Sequence, residues 1–284
     1  MENTEYLKPN DIKELLLIMA ENKDRATVIA GGTNLAPEMR DGVRTPQVLV
    51  DISDLKELVG IQLDTDSITI GAATTIAEIA ESPVIHEHFP ILSKAAGALG
   101  NPLTRNRATI GGNLANASPC ADTAPPLLAL EAEIHITNAE GQVRTVAADK
   151  FFMDYKWTHL DKGDVMTRIA IPKPNVAAKG SHTKLGLRKA AAICVASVAL
   201  MLEKEGDAVK RALIAFGSVA PKPIRAYRLE RYIEGKPVDE KLLSDCGPLL
   251  QEEVSPIGDI RGSESYRRFA TASIFNRNLL QAWA

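Results

Sequence analysis

Apolar and polar positions alternate along this chain in short segments of changing period. Leu15, Leu16, Ile18 and Met19 share a helical face behind Asn10 or Asp11, either of which can cap that helix. An apolar run at 27–30 predicts a short buried strand that ends in paired glycines, and 35–40 predicts one or two helical turns after them. Further strands are predicted at 47–50, ending at Asp51, and at 68–71. Thr75-Ile76-Ala77-Glu78 has the form of a capping box. Residues 90–99 place Ile91, Leu92, Ala95, Ala96 and Leu99 on one helical face.

A second pair of glycines follows at 111–112, then Asp122 at the start of an apolar helix carrying Pro125, Pro126, Leu127, Leu128 and Leu130. Runs at 132–137 and 142–147 flank Asn138-Ala139-Glu140-Gly141 and predict a hairpin. A strand at 164–171 ends at Pro172-Lys173-Pro174, and 175–180 reads as a linker. Beyond it come strand-like runs at 183–189, 194–203 and 211–219, then Pro221 and Pro223, then helical runs at 226–234, 240–252 and 263–283. Three strands followed by helices make an α+β pattern. The expected division is therefore 1–176, with a further split near 55, and 177–284.

The chain has 284 residues, 45% hydrophobic and 24% charged, which allows two globular domains with sizeable cores. A formal net charge of −3 gives no pull toward nucleic acid or anionic membrane. No run is long and apolar enough to span a bilayer, and Met1-Glu2-Asn3-Thr4-Glu5 lacks a secretory apolar segment, so a cytoplasmic protein is expected. Cys120, Cys194 and Cys246 are far apart and form no zinc or iron–sulfur motif; each is expected to be a small buried residue. His86, His88, His135, His159 and His182 are scattered and read as structural or exposed. Tyr155 and Trp157 are expected in the core, with a cofactor face or a subunit contact as the alternative.

The chemistry concentrates in the two glycine stretches. Paired glycines permit a positive φ and a close approach to another group, and successive N–H groups in such a turn make an anion-binding concavity. Neither stretch has the spacing of a Walker loop or of a G-x-G-x-x-G dinucleotide turn. Neither contains Lys or Arg, so a bound diphosphate would be met by backbone N–H groups with Thr33, Asn34, Thr109 and Asn113. The plain alternative for each pair is a tight turn without a ligand. For Asp122 the alternatives are a helix cap or an acceptor for a ligand hydroxyl.

Ala30-Gly31-Gly32-Thr33-Asn34-Leu35 and Thr109-Ile110-Gly111-Gly112-Asn113-Leu114-Ala115-Asn116-Ala117-Ser118-Pro119 closely resemble the two signatures of the FAD-binding medium subunit of molybdenum hydroxylases. That family includes xanthine dehydrogenase, aldehyde oxidase and carbon monoxide dehydrogenase. Ser218-Val219-Ala220-Pro221-Lys222-Pro223-Ile224-Arg225-Ala226 resembles the family's segment after the C-terminal sheet. Asp259-Ile260-Arg261-Gly262-Ser263-Glu264-Ser265-Tyr266-Arg267-Arg268 resembles the entry to its last helix.

The resemblance implies a two-subdomain FAD-binding domain of the vanillyl-alcohol-oxidase/PCMH type, followed by a domain with a three-stranded antiparallel sheet and helices. It implies that Val28, Ile29, Ala30, Gly31, Gly32, Thr33, Asn34 and Leu35 embrace the FAD diphosphate. Thr109, Ile110, Gly111, Gly112 and Asn113 would complete the cradle. Asp122 matches the family's cofactor-bonding acid, Val165 and Met166 an apolar strand position at the nucleotide, and Lys184 a lysine beside the cofactor. Without the family, Lys184 reads as a solvated strand lysine. Many members carry Asp or His where this chain has Asn34.

The implied activity is electron transfer within an oxidoreductase. A large subunit carries molybdopterin, a small subunit carries two [2Fe–2S] clusters, and the flavin passes electrons to NAD⁺ or another acceptor. No catalytic side chain and no metal ligand is expected on this chain. The alternatives are a scaffold or interaction subunit that keeps the fold without redox function, and a self-sufficient flavin oxidase.

Overall fold

The structure is a computed structural model that describes residues 4–175 and 177–284. Three parallel strands come first in space: β1 (Glu5–Leu7), β2 (Ala26–Ile29) and β3 (Val48–Asp51), in the order β1-β3-β2. The helices Ile12–Glu21 and Leu35–Arg40 make the two crossovers. Asp11, rather than Asn10, caps the first, its carboxylate accepting the Glu14 N–H at 2.8 Å. β1 left no apolar signature because two of its three residues are exposed.

β4 (Ile61–Leu63), β5 (Ser67–Gly71), β6 (Glu133–Thr137), β7 (Val143–Ala147) and β10 (Val165–Pro172) form an antiparallel sheet in the order β4-β5-β10-β6-β7. The ribbon of β8 (Phe152–Asp154) and β9 (Trp157–Thr158) lies between β7 and β10 in the chain. The predicted hairpin joins β6 to β7, its turn closed by Asn138 N–H on Gln142 O at 3.0 Å. The capping box forms as read, with Thr75 N–H on Glu78 and Glu78 N–H on Thr75 Oγ1.

The last sheet contains β11 (Lys179–Gly186), β12 (Cys194–Glu205), β13 (Ala208–Gly217) and β14 (Ile224–Arg225), in chain order and antiparallel. It has four strands, not three. The fourth is two residues long and sits directly after Pro223, too short to leave a period in the sequence. β11 also ends at Gly186 rather than 189, after a bulge at Leu185/Gly186. The expected boundary at 176 lies outside the described residues, as do Met1, Glu2 and Asn3.

β12 explains how the halves join. Its first nine residues are all buried because both faces of the sheet are covered. Ala199 and Met201 belong to the core of the five-stranded sheet, whereas Val198, Leu200 and Leu202 belong to the core under the C-terminal helices. This is the period-2 alternation of a strand between two layers. On one side lies the helix Ala124–Ala129, all six residues of which are buried. On the other lies the helix Glu264–Trp283. Among the described residues, no helix is long and apolar enough to cross a membrane.

One buried ion pair pins this joint. Arg225 Nε meets Glu230 Oε1 at 2.7 Å and Nη2 meets Oε2 at 2.9 Å, while Nη1 donates to Leu128 O at 3.0 Å at the end of the helix Ala124–Ala129. Glu230 Oε1 also accepts the Ile214 N–H at 2.7 Å. A bidentate pair with its remaining capacity used is stable in place, but removing one partner strands the other in the interior. Arg225→Ala should lower unfolding stability by about 3–5 kcal/mol. The double replacement Arg225→Met/Glu230→Leu should recover most of that loss, as read from urea denaturation midpoints.

Candidate functional site

The first glycine stretch leaves the C-terminal edge of β2 and enters the short helix Leu35–Arg40. Gly32 holds φ +67°, which only glycine adopts freely. Gly31 is required for a different reason: a Cβ there would lie 1.7 Å from Arg107 O. The two glycine stretches therefore meet backbone against backbone. Arg107 Nε donates to Gly31 O at 3.4 Å, and Asn34 Nδ2 donates to Asn116 Oδ1 at 2.8 Å across the gap. Asn34 occupies the cap position of the helix Leu35–Arg40 without capping it; its side chain is spent on the bridge and on Glu38.

The second stretch differs from the expected bend. Ile110–Ala115 is a helical turn capped by Thr109, and neither Gly111 nor Gly112 has a positive φ. Close approach again explains the glycines. A Cβ on Gly111 would lie 2.7 Å from Ala72 O, and one on Gly112 would lie 2.9 Å from Thr109 Oγ1. The N–H groups here are already committed: Ile110 to Thr74 O, Gly111 to Ala72 O, Gly112 to Thr109 Oγ1 and Asn113 to Thr109 O. By contrast, the N–H groups of Gly31, Gly32, Thr33, Asn34 and Leu35 find no partner among the described residues. The expectation that both pairs offer their amide hydrogens is corrected: the free donors belong to the first. From the second stretch the Thr109 hydroxyl hydrogen and Asn113 Nδ2 remain, since Asn113 Oδ1 accepts from Thr123 Oγ1 at 2.6 Å.

Both stretches line one cavity of about 1100 Å³, at the upper limit of small-molecule sites. Val28, Ile29, Ala30, Gly31, Gly32, Thr33, Asn34 and Leu35 line it, with Thr109, Gly112, Asn113 and Asp122. Five residues named from the sequence do not. Ile110 and Gly111 are buried beneath the wall, Met166 of β10 packs in the core opposite Ile136 of β6, and Lys184 stands behind Asp122. Val165 likewise belongs to a core cluster.

Asp122 is not a helix cap, since Thr123 occupies that position. Its Oδ2 accepts from Lys184 Nζ at 2.8 Å, and that ammonium also donates to Ala98 O at 3.0 Å. Lys184 is thus a buried ion-pair partner, its side chain 8% exposed, rather than a solvated lysine. Burial pushes the Asp122 carboxyl up to about 6 against the opposing pull of Lys184. Its Oδ1 is buried with no partner among the described residues.

The C-terminal sheet and last helix supply the wall that sequence reading missed, with Ser218, Asp259, Arg261 and Arg267. All four lie in the two C-terminal motifs, but no property of the sequence turned them toward the cavity. Ser218 has φ +65°, and its N–H donates to Pro119 O at 2.8 Å, tying β13 to the second stretch.

Tyr155 and Trp157 are 62% and 61% exposed, which overturns the core placement; Tyr155 lines the cavity. They sit on the β8–β9 ribbon, whose tip is anchored by Lys156 Nζ to Glu38 at 3.1 Å. Cys194 and Cys246 are buried, and burial pushes their thiols up to about 12 and about 11, whereas Cys120 is half-buried on the cavity wall. Of the histidines, His182 is buried and the rest are partly or fully exposed; none lines the cavity. Among the described residues no group of His, Cys, Asp and Glu could hold a metal ion.

Residues 2–174 match the family model for the FAD binding domain in molybdopterin dehydrogenase, and residues 181–282 match that for the CO dehydrogenase flavoprotein C-terminal domain. The chain is 32% identical over 263 residues to the glyceraldehyde dehydrogenase medium chain of Sulfolobus acidocaldarius, covering 93% of this chain and 92% of that one. It is 30% identical to the carbon monoxide dehydrogenase medium chain of Hydrogenophaga pseudoflava over 280 residues, 99% of this chain and 97% of that one. A solved structure of the Hydrogenophaga pseudoflava carbon monoxide dehydrogenase superposes with a TM-score of 0.95, covering 99% of this chain and 97% of that chain. Quinoline 2-oxidoreductase from Pseudomonas putida 86 does so with 0.91, at 30% identity over 99% and 96%. The fold, both matched domains and these relatives show that the chain belongs to the FAD-binding medium-subunit family of the molybdenum hydroxylases, and is an oxidoreductase subunit.

Proposed function

We propose that this chain is the cytoplasmic flavoprotein subunit of a molybdenum hydroxylase complex. It would take electrons from [2Fe–2S] clusters of a small subunit, downstream of a molybdopterin large subunit, and pass them through FAD to NAD⁺ or another acceptor. The observation that carries this reading is the row of N–H groups at Gly31 to Leu35 without a partner among the described residues, on a cavity that Asp122 also lines. A diphosphate needs donors in a partly dry cleft, and this row supplies them without a cation.

On this reading the first stretch holds the diphosphate, with the Thr109 hydroxyl and Asn113 Nδ2 as side donors. Asp122 accepts from a cofactor hydroxyl or N–H, and Lys184 keeps that carboxylate ionised and in place. Bound FAD would supply the one- and two-electron redox chemistry, and the protein its position and field. The chain divides functionally at 176/177, with a further split near 55, and the second part closes the cavity.

Flavin-free full chain should take up one FAD, and the chain from its native source should copurify with molybdenum and iron–sulfur subunits. A chain that binds no FAD would support the scaffold reading. Gly31→Ala should weaken FAD binding at least tenfold, because its Cβ would displace Arg107. Gly97→Ala, with nothing within 4 Å, should leave binding unchanged.

The pH dependence follows from Asp122. With its carboxyl raised to about 6 in the ligand-free fold, its contribution to stability is full below the ordinary carboxylate value and is lost as pH rises through about 6. Cofactor binding to the ionised form runs the other way. FAD affinity should therefore rise by about tenfold in all from pH 5 to 7, most of it below pH 6, and then level off. Asp122→Asn should give a flat profile in fluorescence titrations.

A further inference from the structure

The charges around the cavity fall into groups, and most are balanced. Glu38 is held between Lys156 Nζ at 3.1 Å and Arg44 Nε at 3.7 Å. Asp259 is held between Arg261 Nη1 at 2.7 Å and Arg267 Nη2 at 2.8 Å, and Asp122 is paired with Lys184. The rim formed by 99–107 and 185–193 differs. These segments meet where the Ala191 N–H donates to Gly100 O at 3.0 Å, and Gly100, Thr104, Ala191 and Ile193 line the cavity from this side. Neither segment contains Asp or Glu, yet together they carry Arg105, Arg107, Arg188 and Lys189. The fold braces the arginines with carbonyls instead of pairing them with carboxylates. Arg105 Nη1 donates to Leu99 O at 3.0 Å, Arg107 Nε to Gly31 O at 3.4 Å, and Arg188 Nε and Nη2 to Ala191 O at 3.2 and 2.6 Å. A side chain already held by its own backbone loses little freedom when it meets a partner. Leu103 and Leu187, in the same two segments, are 81% and 67% exposed.

We infer that this rim docks an acidic one-electron carrier protein, and that such a protein is the electron acceptor. This rests on the FAD reading above. The charge sets the sign of the partner: four cations without an acid, on a chain of net charge −3, complement a negative face. The composition sets the kind of contact. Permanent subunit interfaces are large and apolar, whereas electron-transfer encounters are small and steered by charge. Four cations with two bare leucines match the second kind, so the carrier visits and leaves. A dinucleotide diphosphate would use one or two of the cations and leave Leu103 and Leu187 uncovered. At this rim the carrier stands beside the cavity that holds the cofactor. Two carrier molecules each take one electron from the two-electron-reduced cofactor, which returns to FAD as its two protons pass to water.

The test uses FAD-loaded full chain, photoreduced without oxygen and mixed rapidly with one of two carriers. They are cytochrome c, which is basic, and succinylated cytochrome c, whose lysines have become carboxylates. At low salt the succinylated form should be reduced at least tenfold faster than the native form, and the gap should close as salt is raised. Arg105→Glu/Arg188→Glu should slow reduction of the succinylated form at least tenfold and speed that of the native form, with FAD content unchanged. Lys13→Glu, on the helix Ile12–Glu21, should leave both rates within about twofold of wild type. Equal rates for the two carriers would overturn the inference alone, as would a rate with the succinylated form that ignores Arg105→Glu/Arg188→Glu. Variants that slow reoxidation by NAD⁺ while sparing the succinylated carrier would also overturn it, because the rim would then serve a dinucleotide. A wild-type chain that takes up no FAD would overturn it together with the flavin reading.

Discussion

The cavity depends on two backbone segments that meet more closely than any side chain allows. Gly31 lies against the Arg107 carbonyl, where a Cβ would sit at 1.7 Å, and Gly111 lies against Ala72 in the same manner. These contacts leave the two stretches different work. The second spends its N–H groups on Thr74, Ala72 and Thr109, which makes it a rigid shelf. The first keeps its N–H groups free and can meet a ligand. Asn34, reaching 2.8 Å to Asn116, ties the open stretch to the rigid one.

The C-terminal half completes the site rather than merely following it. β12 buries residues toward two separate cores, so the two halves share one sheet face and the helix Ala124–Ala129. That packing brings Lys184 of β11 to Asp122 and Ser218 at the end of β13 to Pro119. The Asp122–Lys184 pair is a costly arrangement in isolation, because desolvation outweighs much of the attraction. It holds the Asp122 carboxylate with one oxygen occupied by Lys184 and the other buried without a partner among the described residues.

Much of this was legible in the sequence where the signal is local. The capping box at Thr75, the helix at 35–40 and the hairpin about Gly141 all formed, because caps and turns are decided by neighbouring residues. The two glycine stretches were recognised, and they do share a cavity, but their division of labour was not visible. It rests on Ala72 and Thr74 supplying carbonyls from far along the chain. Met166 was misjudged because a buried strand residue looks the same facing a core or a ligand. Tyr155 and Trp157 were misjudged because aromatic residues carry no mark of which side of a ribbon they occupy. Ser218 and Arg267 sit within quoted motifs, yet their meeting depends on a fold that joins residues about 50 positions apart.

The central claim is that the first glycine stretch alone offers backbone hydrogens to the ligand. Amide hydrogen exchange of the full chain, with and without FAD, tests it residue by residue. The account predicts fast exchange at Gly31 to Leu35 that slows sharply on FAD addition, with slow exchange at Ile110 to Asn113 in both states. Unchanged exchange at Gly31 to Leu35, or FAD-dependent protection confined to Ile110 to Asn113, would contradict it.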